Sequence, residues 1–333
     1  MVKLIRLKQY LIALMDWKKI DFKKLWKFVP IIGLILFIYI IISIGIEKIA
    51  NAFVLIPVHI YIIASLPVIL RVFIYGYKWE YISKKQKIDL SFFYYLKITL
   101  VCMFYSLVTP GGLGWHIRIF YLQKKTKIPI EKCITNSLLD TVTGALVGLS
   151  FSFIGSIVLF NYFPGLFPIF SILLILNILA FVFFIKKRRG NKFFNILIKP
   201  IIPKKYREKF DQSIDSFYQD IPRIRDLIIP LLLEVFIWII IATEVYIIGL
   251  PFSIDSFISY PLFIFVHTIS IIAIGLLPIS IGGFGIREGS FVILLLAFGV
   301  KQEVAFVISL AGVIVKLVIP SIVGMIIAFR ENR

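Results

Sequence analysis

Long apolar runs separated by short basic segments occupy most of the 333-residue chain. A helix needs about 20 apolar residues to cross the hydrocarbon core of a bilayer. Six of the runs have a suitable length, and they predict an all-α polytopic membrane protein with about six full spans. The predicted spans are residues 28–46, 52–74, 133–161, 166–185, 227–250 and 304–329.

Two further apolar segments, residues 91–123 and 257–299, are too long for a single span and contain closely spaced glycines. Glycine readily adopts backbone conformations that end a helix, and proline disrupts helix hydrogen bonding. We therefore predict two glycine-broken helical hairpins, or re-entrant pairs, each of which enters and leaves the membrane on one side. The breaks are Pro110-Gly111-Gly112-Leu113-Gly114 in the first hairpin, and Pro278 followed by Gly282-Gly283-Phe284-Gly285 in the second.

The two breaks lie at matching places in the two halves of the chain. Gly282 follows Gly111 by 171 positions, and each half has the order span, span, hairpin, span. This pattern predicts two transmembrane repeats of inverted topology, residues 28–162 and 163–333, with both breaks near the bilayer midplane. The alternative is that glycine-rich helix-packing motifs occur twice by coincidence.

Composition and charge agree with a membrane protein. Hydrophobic residues make up 60% of the chain and its mean hydropathy is +0.97, which excludes a soluble globular protein. Of the 37 Lys and Arg residues, 31 fall in the two termini and in the segments 71–88, 124–132 and 186–226. The positive-inside rule then places both termini in the cytoplasm. The cytoplasmic membrane of a prokaryote is the expected location. The net charge of +19 follows from these flanks and indicates no nucleic-acid partner.

Two basic segments have an amphipathic pattern. Residues 1–27 predict a basic interfacial helix on the anionic leaflet. The cytoplasmic basic loop 186–226 contains a second such helix, which we expect on the membrane surface, with partner binding as the alternative. Its apolar face consists of Phe210, Ile214, Phe217 and Ile221.

The candidate site lies at the two breaks. An arginine at the bilayer centre costs about 3 kcal/mol on insertion scales, so it is retained where it faces a cavity or a partner. Arg118 and Arg287 follow the breaks, where exposed backbone N–H groups at a helix start favour an anion such as phosphate. The alternative is that each arginine pairs with a buried acid and only holds helices together. The predicted substrate-binding residues are Gly111, Gly112, Gly114, His116, Arg118, Gly282, Gly283, Gly285, Arg287 and Glu288.

Five more ionisable residues lie within apolar segments. They are candidates for charge pairs with the arginines or for carrying coupling protons. Lys316 is too deep in its span to reach the interface easily, which makes it the stronger of the two lysines. For His59 and His267, a core position with a helix–helix hydrogen bond is expected. The five candidates are Asp140, Glu234, Glu244, Lys97 and Lys316.

The sequence contains no enzyme signature. The first break does not continue into the lysine and hydroxyl residue of a phosphate-binding loop, and the second follows no strand, which excludes a dinucleotide site. No His, Cys and Asp spacing typical of a metal site is present, and the two cysteines, Cys102 and Cys133, lie in or beside apolar runs. We therefore predict neither catalysis nor a cofactor nor a metal.

The residues around the two breaks also carry a family resemblance. They are Thr109-Pro110-Gly111-Gly112-Leu113-Gly114 with Arg118, and Leu277-Pro278-Ile279-Ser280-Ile281-Gly282-Gly283-Phe284-Gly285-Ile286-Arg287-Glu288-Gly289. With these motifs the chain resembles, over nearly its whole length, the lysylphosphatidylglycerol synthase transmembrane-region family, also called flippase-like-domain proteins. The resemblance implies a membrane domain that moves modified lipids between leaflets.

Two departures limit what the resemblance implies. The chain has no counterpart of the soluble aminoacyl-transferase domain of full-length synthases, so lipid aminoacylation is not implied. The fourth segment of the family often carries an acid followed by arginine, whereas this chain has Asp140-Thr141, which puts the expected charge pair in doubt.

The functional prediction is a lipid translocase that binds an anionic phospholipid or a polyprenyl-phosphate-linked lipid between the two hairpins. Membrane lipids are then the expected partners. One alternative is a non-transporting membrane subunit that assists a glycosyltransferase or a lipid-modifying enzyme. The other is an ion-coupled transporter of a small soluble anion. A lateral opening to lipid favours the translocase, a sealed cavity the anion transporter, and a filled interior the subunit.

Overall fold

The computed structural model describes residues 29–331 except 194, 197–198, 204–206 and 278. Every regular element in this part of the chain is helical. The interfacial helix predicted for residues 1–27 and the break residue Pro278 lie outside the described residues. In chain order the helices are α1 (Val29–Ile44), α2 (Ile46–Val54), α3 (Val58–Lys85), α4 (Phe92–Val108), α5 (Arg118–Thr126), α6 (Ile130–Val158), α7 (Leu166–Phe184), α8 (Lys187–Phe193), α9 (Arg207–Phe217), α10 (Ile228–Gly249), α11 (Tyr260–Leu276), α12 (Ile286–Leu296), α13 (Gln302–Val313) and α14 (Ile319–Glu331).

The membrane class of the chain is confirmed. Among the described residues, five helices are long and apolar enough to cross a membrane: α3, α6, α7, α10 with its flanking turns, and α13 continuing through a π-helical turn, Ile314–Val318, into α14. The pair α1 and α2 provides a sixth if it is counted as one span, although it bends by 84° at Gly45. Gly45 has a φ of +97°, a conformation that favours glycine and allows the chain to turn there.

The second predicted span has the wrong limits. Residues 52–54 belong to α2, and α3 begins at Val58, after Pro57, and continues to Lys85. Arg71 and Lys78 were assigned to a cytoplasmic loop by the charge pattern, but both are buried within α3. The reason is that buried carboxylates on other helices bind these two cations, so they do not mark the end of a span.

Both predicted helix breaks are present. Helix α4 ends at Val108, a short 3₁₀ turn follows the first glycines, and α5 begins at Arg118. In the second hairpin α11 ends at Leu276 and α12 begins at Ile286. Five glycines of the two breaks have positive φ values, from +58° to +85°, where residues with a Cβ are strained. They are Gly111, Gly112, Gly282, Gly283 and Gly285.

The tips of the two hairpins meet in a short antiparallel β-bridge between Pro110 and Ile281. The N–H of Gly111 donates to the carbonyl of Ser280 at 3.2 Å, and the N–H of Gly282 donates to the carbonyl of Thr109 at 3.3 Å. The two hydrogen bonds are equivalent, because the donors Gly111 and Gly282 are 171 positions apart and so are the acceptors Thr109 and Ser280. The two breaks are therefore joined backbone to backbone.

Helix packing follows the same correspondence. Helix α3 packs against α10, while α4 packs against α14 and α11 packs against α6. The N–H of Gly33 in α1 donates to the carbonyl of Ile279 at 3.1 Å, which fixes the strand-like part of the second break against α1. The largest apolar cluster surrounds the second hairpin, and a smaller one surrounds Trp79, Tyr95 and Cys102 beside the first.

The basic loop forms helices α8 and α9 in its described part. Phe210, Ile214 and Phe217 of the predicted amphipathic face lie in α9, which contacts the beginning of α6, whereas Ile221 follows the end of this helix. Ser213 donates to the carboxylate of Glu131 at 2.8 Å, and Thr135 donates to the carbonyl of Phe217 at 2.7 Å. This loop is therefore attached to the helical bundle on the side where α6 begins.

Candidate functional site

A cavity of about 370 Å³ lies between the two hairpin tips. Gly111 and Gly112 line it from the first break, and Gly282 lines it from the second. Leu113 and Gly275 also line the cavity and are themselves exposed, so the cavity reaches the outer surface of the described structure. Three cationic side chains, those of Arg71, Arg287 and Lys316, contribute to its wall.

Arg71 projects from α3, and protein groups accept hydrogen bonds from its Nε and Nη2. Its Nε donates to Glu244 Oε1 at 2.7 Å, and its Nη2 donates to Glu244 Oε2 at 3.1 Å. The same Nη2 donates to the backbone carbonyl of Lys316 at 2.7 Å, within the π-helical turn. Arg71 therefore ties α3 to α10 and to the turn that carries Lys316, and its charge is balanced by Glu244.

Arg287 is held at the beginning of α12 by its own segment. Nε and Nη2 of Arg287 donate to Glu288 Oε1 at 2.9 and 2.7 Å, and Nη1 donates to the Gly282 carbonyl at 3.2 Å. The second oxygen of Glu288 accepts the N–H of Gly285 at 2.7 Å and so satisfies an exposed donor at the helix start. The glycine break and the ion pair form one unit at the cavity wall.

Lys316 differs from the two arginines. Its Nζ lies 3.0 Å from Nε2 of His267 on α11, and both side chains are buried. In the described part of the chain, no carboxylate lies within salt-bridge distance of this amine. A π-helical turn places an extra residue in a helix and often occurs at functional sites, and here it carries Lys316 at the cavity wall.

Arg118 does not line the cavity. Its guanidinium lies between two indole rings, 4.7 Å from the centroid of Trp79 and 5.0 Å from that of Trp115. Its Nη1 donates to Asp140 Oδ2 at 2.6 Å. The cation–π contacts and the ion pair both stabilise the buried charge. Arg118 thus joins α5 to α6 behind the cavity wall formed by Trp115.

Asp140 continues this network toward α10. Lys78 binds Asp140 Oδ1 at 2.7 Å and also binds Glu234. The chain Arg118–Asp140–Lys78–Glu234 therefore links four helices, α5, α6, α3 and α10, through buried ion pairs. Removing one member would leave a buried charge without its partner, which is strongly destabilising.

The buried ionic groups around the cavity do not balance. The described structure places five buried cations and four buried carboxylates at or behind the cavity wall. Four of the cations bind the carboxylates, which are Asp140, Glu234, Glu244 and Glu288; these cations are Arg71, Lys78, Arg118 and Arg287. With every group ionised, five cations and four acids leave one positive charge. In the part of the chain that the structure describes, the cation of this set without a carboxylate partner is Lys316, which lines the cavity.

The structure separates the predicted site residues into three groups. Six line the cavity: Gly111, Gly112, His116, Gly282, Arg287 and Lys316. Eight stand behind the wall, in the backbone turns or in buried ion pairs: Gly114, Arg118, Asp140, Glu234, Glu244, Gly283, Gly285 and Glu288. Lys97 lies apart from both groups, in a partly exposed pair with Glu331. The assignment of these residues to substrate binding stays a prediction.

Sequence reasoning missed three residues of α3 that contribute to the site. Arg71 and Tyr75 line the cavity, and Lys78 belongs to the ionic network behind it. Their spacing of four and three positions places them on one face of a helix. That spacing was the available signal, because three polar residues on one face of an apolar helix indicate a buried polar surface.

Among the described residues, no group of three His, Cys, Asp or Glu side chains is placed to hold a metal ion. The polar side chains that line the cavity carry amine, guanidinium, imidazole, indole and hydroxyl groups, whereas the N–H groups of Gly111 and Gly282 are used in the bridge between the hairpins. Such side chains favour an oxyanion, since positive charge and N–H groups both stabilise negative oxygen. The arrangement can hold a phosphate or carboxylate group.

The comparisons with known proteins agree with the fold. The chain is 25% identical over 326 residues to UPF0104 membrane protein MJ1595 of Methanocaldococcus jannaschii, an alignment that covers 90% of this chain and 94% of that protein. Residues 29–324 match the sequence profile described as the lysylphosphatidylglycerol synthase TM region, and this match includes every helix that contributes to the cavity. The chain therefore belongs to the lysylphosphatidylglycerol synthase transmembrane-region family.

Proposed function

We propose that this protein is a lipid translocase that binds the anionic headgroup of a membrane lipid in the cavity between the two hairpin tips. The observation that carries the proposal is the buried amine of Lys316, which has no carboxylate partner among the described residues and lies on the wall of a cavity that reaches the outer surface. An anionic headgroup supplies the missing counter-charge. The apolar outer faces of the helices accommodate the acyl chains outside the cavity.

Membrane lipids are the proposed partners, and either a phospholipid or a polyprenyl-phosphate-linked lipid has the required phosphate. Such a headgroup accepts hydrogen bonds from Lys316 and from the Arg287 region, since oxyanions bind best to charged donors. The open side at Leu113 and Gly275 gives the headgroup a lateral entrance from the bilayer. An entrance of this kind favours a lipid over a soluble anion.

The proposal includes an inverted-topology repeat of residues 28–162 and 163–333. The bridge between Pro110 and Ile281, in which every group has a counterpart 171 positions away, supports this relation. Two helix contacts support it as well: α4 of the first half packs against α14 of the second, and α11 of the second half packs in the same way against α6 of the first. Two inverted hairpins whose tips meet at one site form a symmetric pathway to both faces of the membrane.

We place the protein in the cytoplasmic membrane with both termini inside, on the basis of the positive-inside distribution. With Arg71 and Lys78 assigned to the interior, 29 of the 37 basic residues still fall in the termini and the three basic segments. The asymmetric distribution of basic residues therefore persists when Arg71 and Lys78 are no longer counted in a loop. Labelling of a single cysteine introduced at Lys187, in a chain from which Cys102 and Cys133 have been removed, tests this orientation from each side.

The test of transport uses the full chain reconstituted into vesicles of phosphatidylcholine and phosphatidylglycerol, with a fluorescent phosphatidylglycerol as the reporter. We expect the protein to increase the rate at which the reporter becomes accessible to a membrane-impermeant quencher. Lys316→Met removes the charge and is expected to lower that rate at least tenfold, as about 1.4 kcal/mol corresponds to a factor of ten. Lys97→Met is the matched control, because this lysine also lies in an apolar segment but outside the cavity.

A reporter rate equal to that of protein-free vesicles, with the protein folded and inserted, would contradict the proposal. Uptake of soluble glycerophosphate without movement of the lipid would favour the small-anion transporter instead. Binding of phosphatidylglycerol without any transport would favour a non-transporting subunit that assists a lipid-modifying enzyme.

A further inference from the structure

The contact between Lys316 and His267 contains two nitrogen groups and no carboxylate. Lys316 Nζ lies 3.0 Å from His267 Nε2, a distance at which a hydrogen bond forms. One nitrogen must supply the lone pair and the other the proton, because two N–H groups cannot donate to each other. The pair therefore exists with the amine either charged or neutral, and both forms keep a hydrogen bond.

No carboxylate among the described residues pairs with His267. Its ring is stacked parallel to Phe263 at 6.2 Å between centroids and lies edge-on to Phe291 at 6.0 Å. The other ring nitrogen, Nδ1, is buried and has no hydrogen-bond partner among the described residues. The imidazole thus acts on Lys316 as a single neutral neighbour.

Charged groups face the pair from the elements packed around it. Arg71 comes from α3, Glu244 comes from α10, and Arg287 and Glu288 come from α12. These four groups are paired with one another, Arg71 with Glu244 and Arg287 with Glu288. His116 faces the same cavity from the first break and is bonded to Ser137. The charge on Lys316 can consequently change without disrupting any of these pairs.

We propose that Lys316 and His267 form a proton-binding site whose occupancy is linked to the binding of an anionic headgroup. A proton taken up from the bulk solution, donated by hydronium or by the acid form of the buffer, converts the Lys316 amine to ammonium, and the headgroup phosphate becomes its counter-ion. No covalent bond is made or broken, and the proton leaves when the headgroup leaves. Linkage is reciprocal, so the headgroup increases proton binding by the same factor by which the proton increases headgroup binding.

This inference rests on the proposed function, because it needs an anion in the cavity. It adds that net movement of the lipid is accompanied by net movement of a proton in the same direction. A pH gradient across the membrane then becomes a source of energy for lipid transport. The predicted acids Asp140, Glu234 and Glu244 are not needed for this step, since each is already paired with a buried cation.

The test measures protons taken up on binding, separately from transport. Dihexanoyl phosphatidylglycerol is titrated into the full chain in detergent at pH 8, by calorimetry in two buffers of different ionisation enthalpy. The difference in heat divided by the difference in ionisation enthalpy gives the number of protons bound per lipid. For the unaltered protein we expect a clearly positive number, up to one proton per bound lipid.

Lys316→Arg is the decisive variant. A guanidinium stays protonated with and without ligand, so we expect the lipid to bind with a proton number near zero. Lys97→Arg makes the same change outside the cavity and should retain the proton number of the unaltered chain. Thermal unfolding confirms that each variant is folded. If Lys316→Arg does not fold or bind, Lys316→Gln at higher lipid concentration provides the same comparison.

Each outcome decides between the two proposals. A proton number of zero for the unaltered protein, with normal lipid binding, overturns the inference and leaves the proposed function intact. An unchanged positive number in the Lys316 variants assigns the proton to another group and overturns the inference as well. Absence of phosphatidylglycerol binding by the folded, unaltered chain overturns the proposed function, and the inference with it.

Discussion

In the first hairpin the arginine begins α5 and turns away from the cavity, whereas in the second hairpin it lies one residue inside α12 and lines the cavity. Arg118 is paired with Asp140 of another helix and is enclosed by two tryptophans. Arg287 is paired with Glu288, its neighbour in sequence. The same backbone break thus holds its arginine in two different environments.

The last glycine of each break defines the correspondence between the hairpins. Two residues after Gly114 comes His116, and two residues after Gly285 comes Arg287. Both of these side chains line the cavity. Arg118 lies two positions further, about 200° around a helix, so it points to the opposite side. Residues with equivalent roles are therefore found by counting from the glycine and not by matching the residue type.

The largest effect is expected from breaking the network behind the cavity. Arg118→Gln leaves Asp140 and Glu234 to share Lys78, and loss of one partner in a buried network costs about 3–5 kcal/mol of unfolding free energy. Adding Asp140→Asn restores the charge balance, so the double variant should be more stable than the single one. Unfolding followed in detergent measures both.

If Arg118 instead bound the lipid, the result would be different. Arg118→Gln would then keep its stability and lose affinity for phosphatidylglycerol. The double variant would show no recovery. Lipid binding expressed per folded molecule distinguishes these outcomes, and only a stability effect agrees with the contrast between the two hairpins.

The next effect concerns the glycines of the two tips. An added Cβ at Gly282 would lie 2.6 Å from the Leu107 carbonyl oxygen, whereas at Gly112 it would approach nothing closer than Ser106 Oγ at 3.4 Å. Both have positive φ, so alanine costs about 1–2 kcal/mol at either position. The clash with backbone adds about 1–3 kcal/mol at Gly282. Gly282→Ala should therefore unfold at a clearly lower temperature than Gly112→Ala; equal unfolding temperatures would contradict the geometry of the bridge.

A smaller effect is expected at His116, the counterpart of Arg287. Its Nδ1 lies 2.9 Å from Ser137 Oγ, and its ring lines the cavity. His116→Ala removes one donor facing the headgroup, which costs about 1 kcal/mol of binding free energy, or roughly fivefold in affinity. His59→Ala is the control, because His59 is exposed and does not occupy the core position that the sequence predicted for it. Unchanged affinity for dihexanoyl phosphatidylglycerol in His116→Ala would remove His116 from the site.

The smallest effect is expected at the base of the first hairpin, at the end opposite its glycine break. Asp220 binds Lys87 at 2.7 Å and Lys132 at 2.9 Å, and these two lysines lower the pKa of its carboxyl group. Because the pKa of this carboxyl group is lower in the folded protein, its ion pairs stabilise the folded state at pH values above its pKa in the unfolded chain, about 3.9. This stabilisation is lost as the pH falls through the pKa of the group in the folded protein. Asp220→Asn should cost up to about 1 kcal/mol at pH 7 because the group is near the surface.

Unfolding temperatures measured between pH 3 and pH 7 provide the check on Asp220. The unaltered protein and Asp220→Asn should differ at neutral pH and converge below about pH 4. A difference that stays constant across this range would mean that the aspartate acts through packing. It would also mean that the ion pairs of Asp220 with Lys87 and Lys132 do not stabilise the base of the first hairpin.

The sequence was sufficient for the features that depend on local signals. The two helix breaks were predicted correctly, because glycines and a proline interrupt long apolar runs at Gly111 and Gly282. The limits of the second span were wrong, because hydropathy continues across Pro57 although the helix does not. Hydrophobicity indicates which residues leave water, but it does not locate a bend inside the membrane.

Contacts between residues that are far apart in the sequence could not be predicted from local sequence patterns. Arg71 was taken as the flank of a span, yet its partner Glu244 lies 173 positions away. The pairing of Lys316 with His267 across 49 positions was not predicted either, although Lys316 was identified as a deep lysine. A charge in an apolar run indicates a buried contact, but the identity of that contact depends on how the helices pack.

The bridge between the hairpin tips determines how the molecule can move. Its two hydrogen bonds, from Gly111 and from Gly282, join the backbones of two apolar hairpins. At the membrane depth that the sequence predicts, each backbone group that lost its partner would cost several kcal/mol. A motion that pulled the tips apart would break both hydrogen bonds and would incur this free-energy cost. The two halves can rock about the bridge as a fulcrum and keep both bonds. Atoms near a fulcrum travel least, so in the proposed lipid translocation the headgroup would stay almost stationary while the openings on the two faces alternate around it.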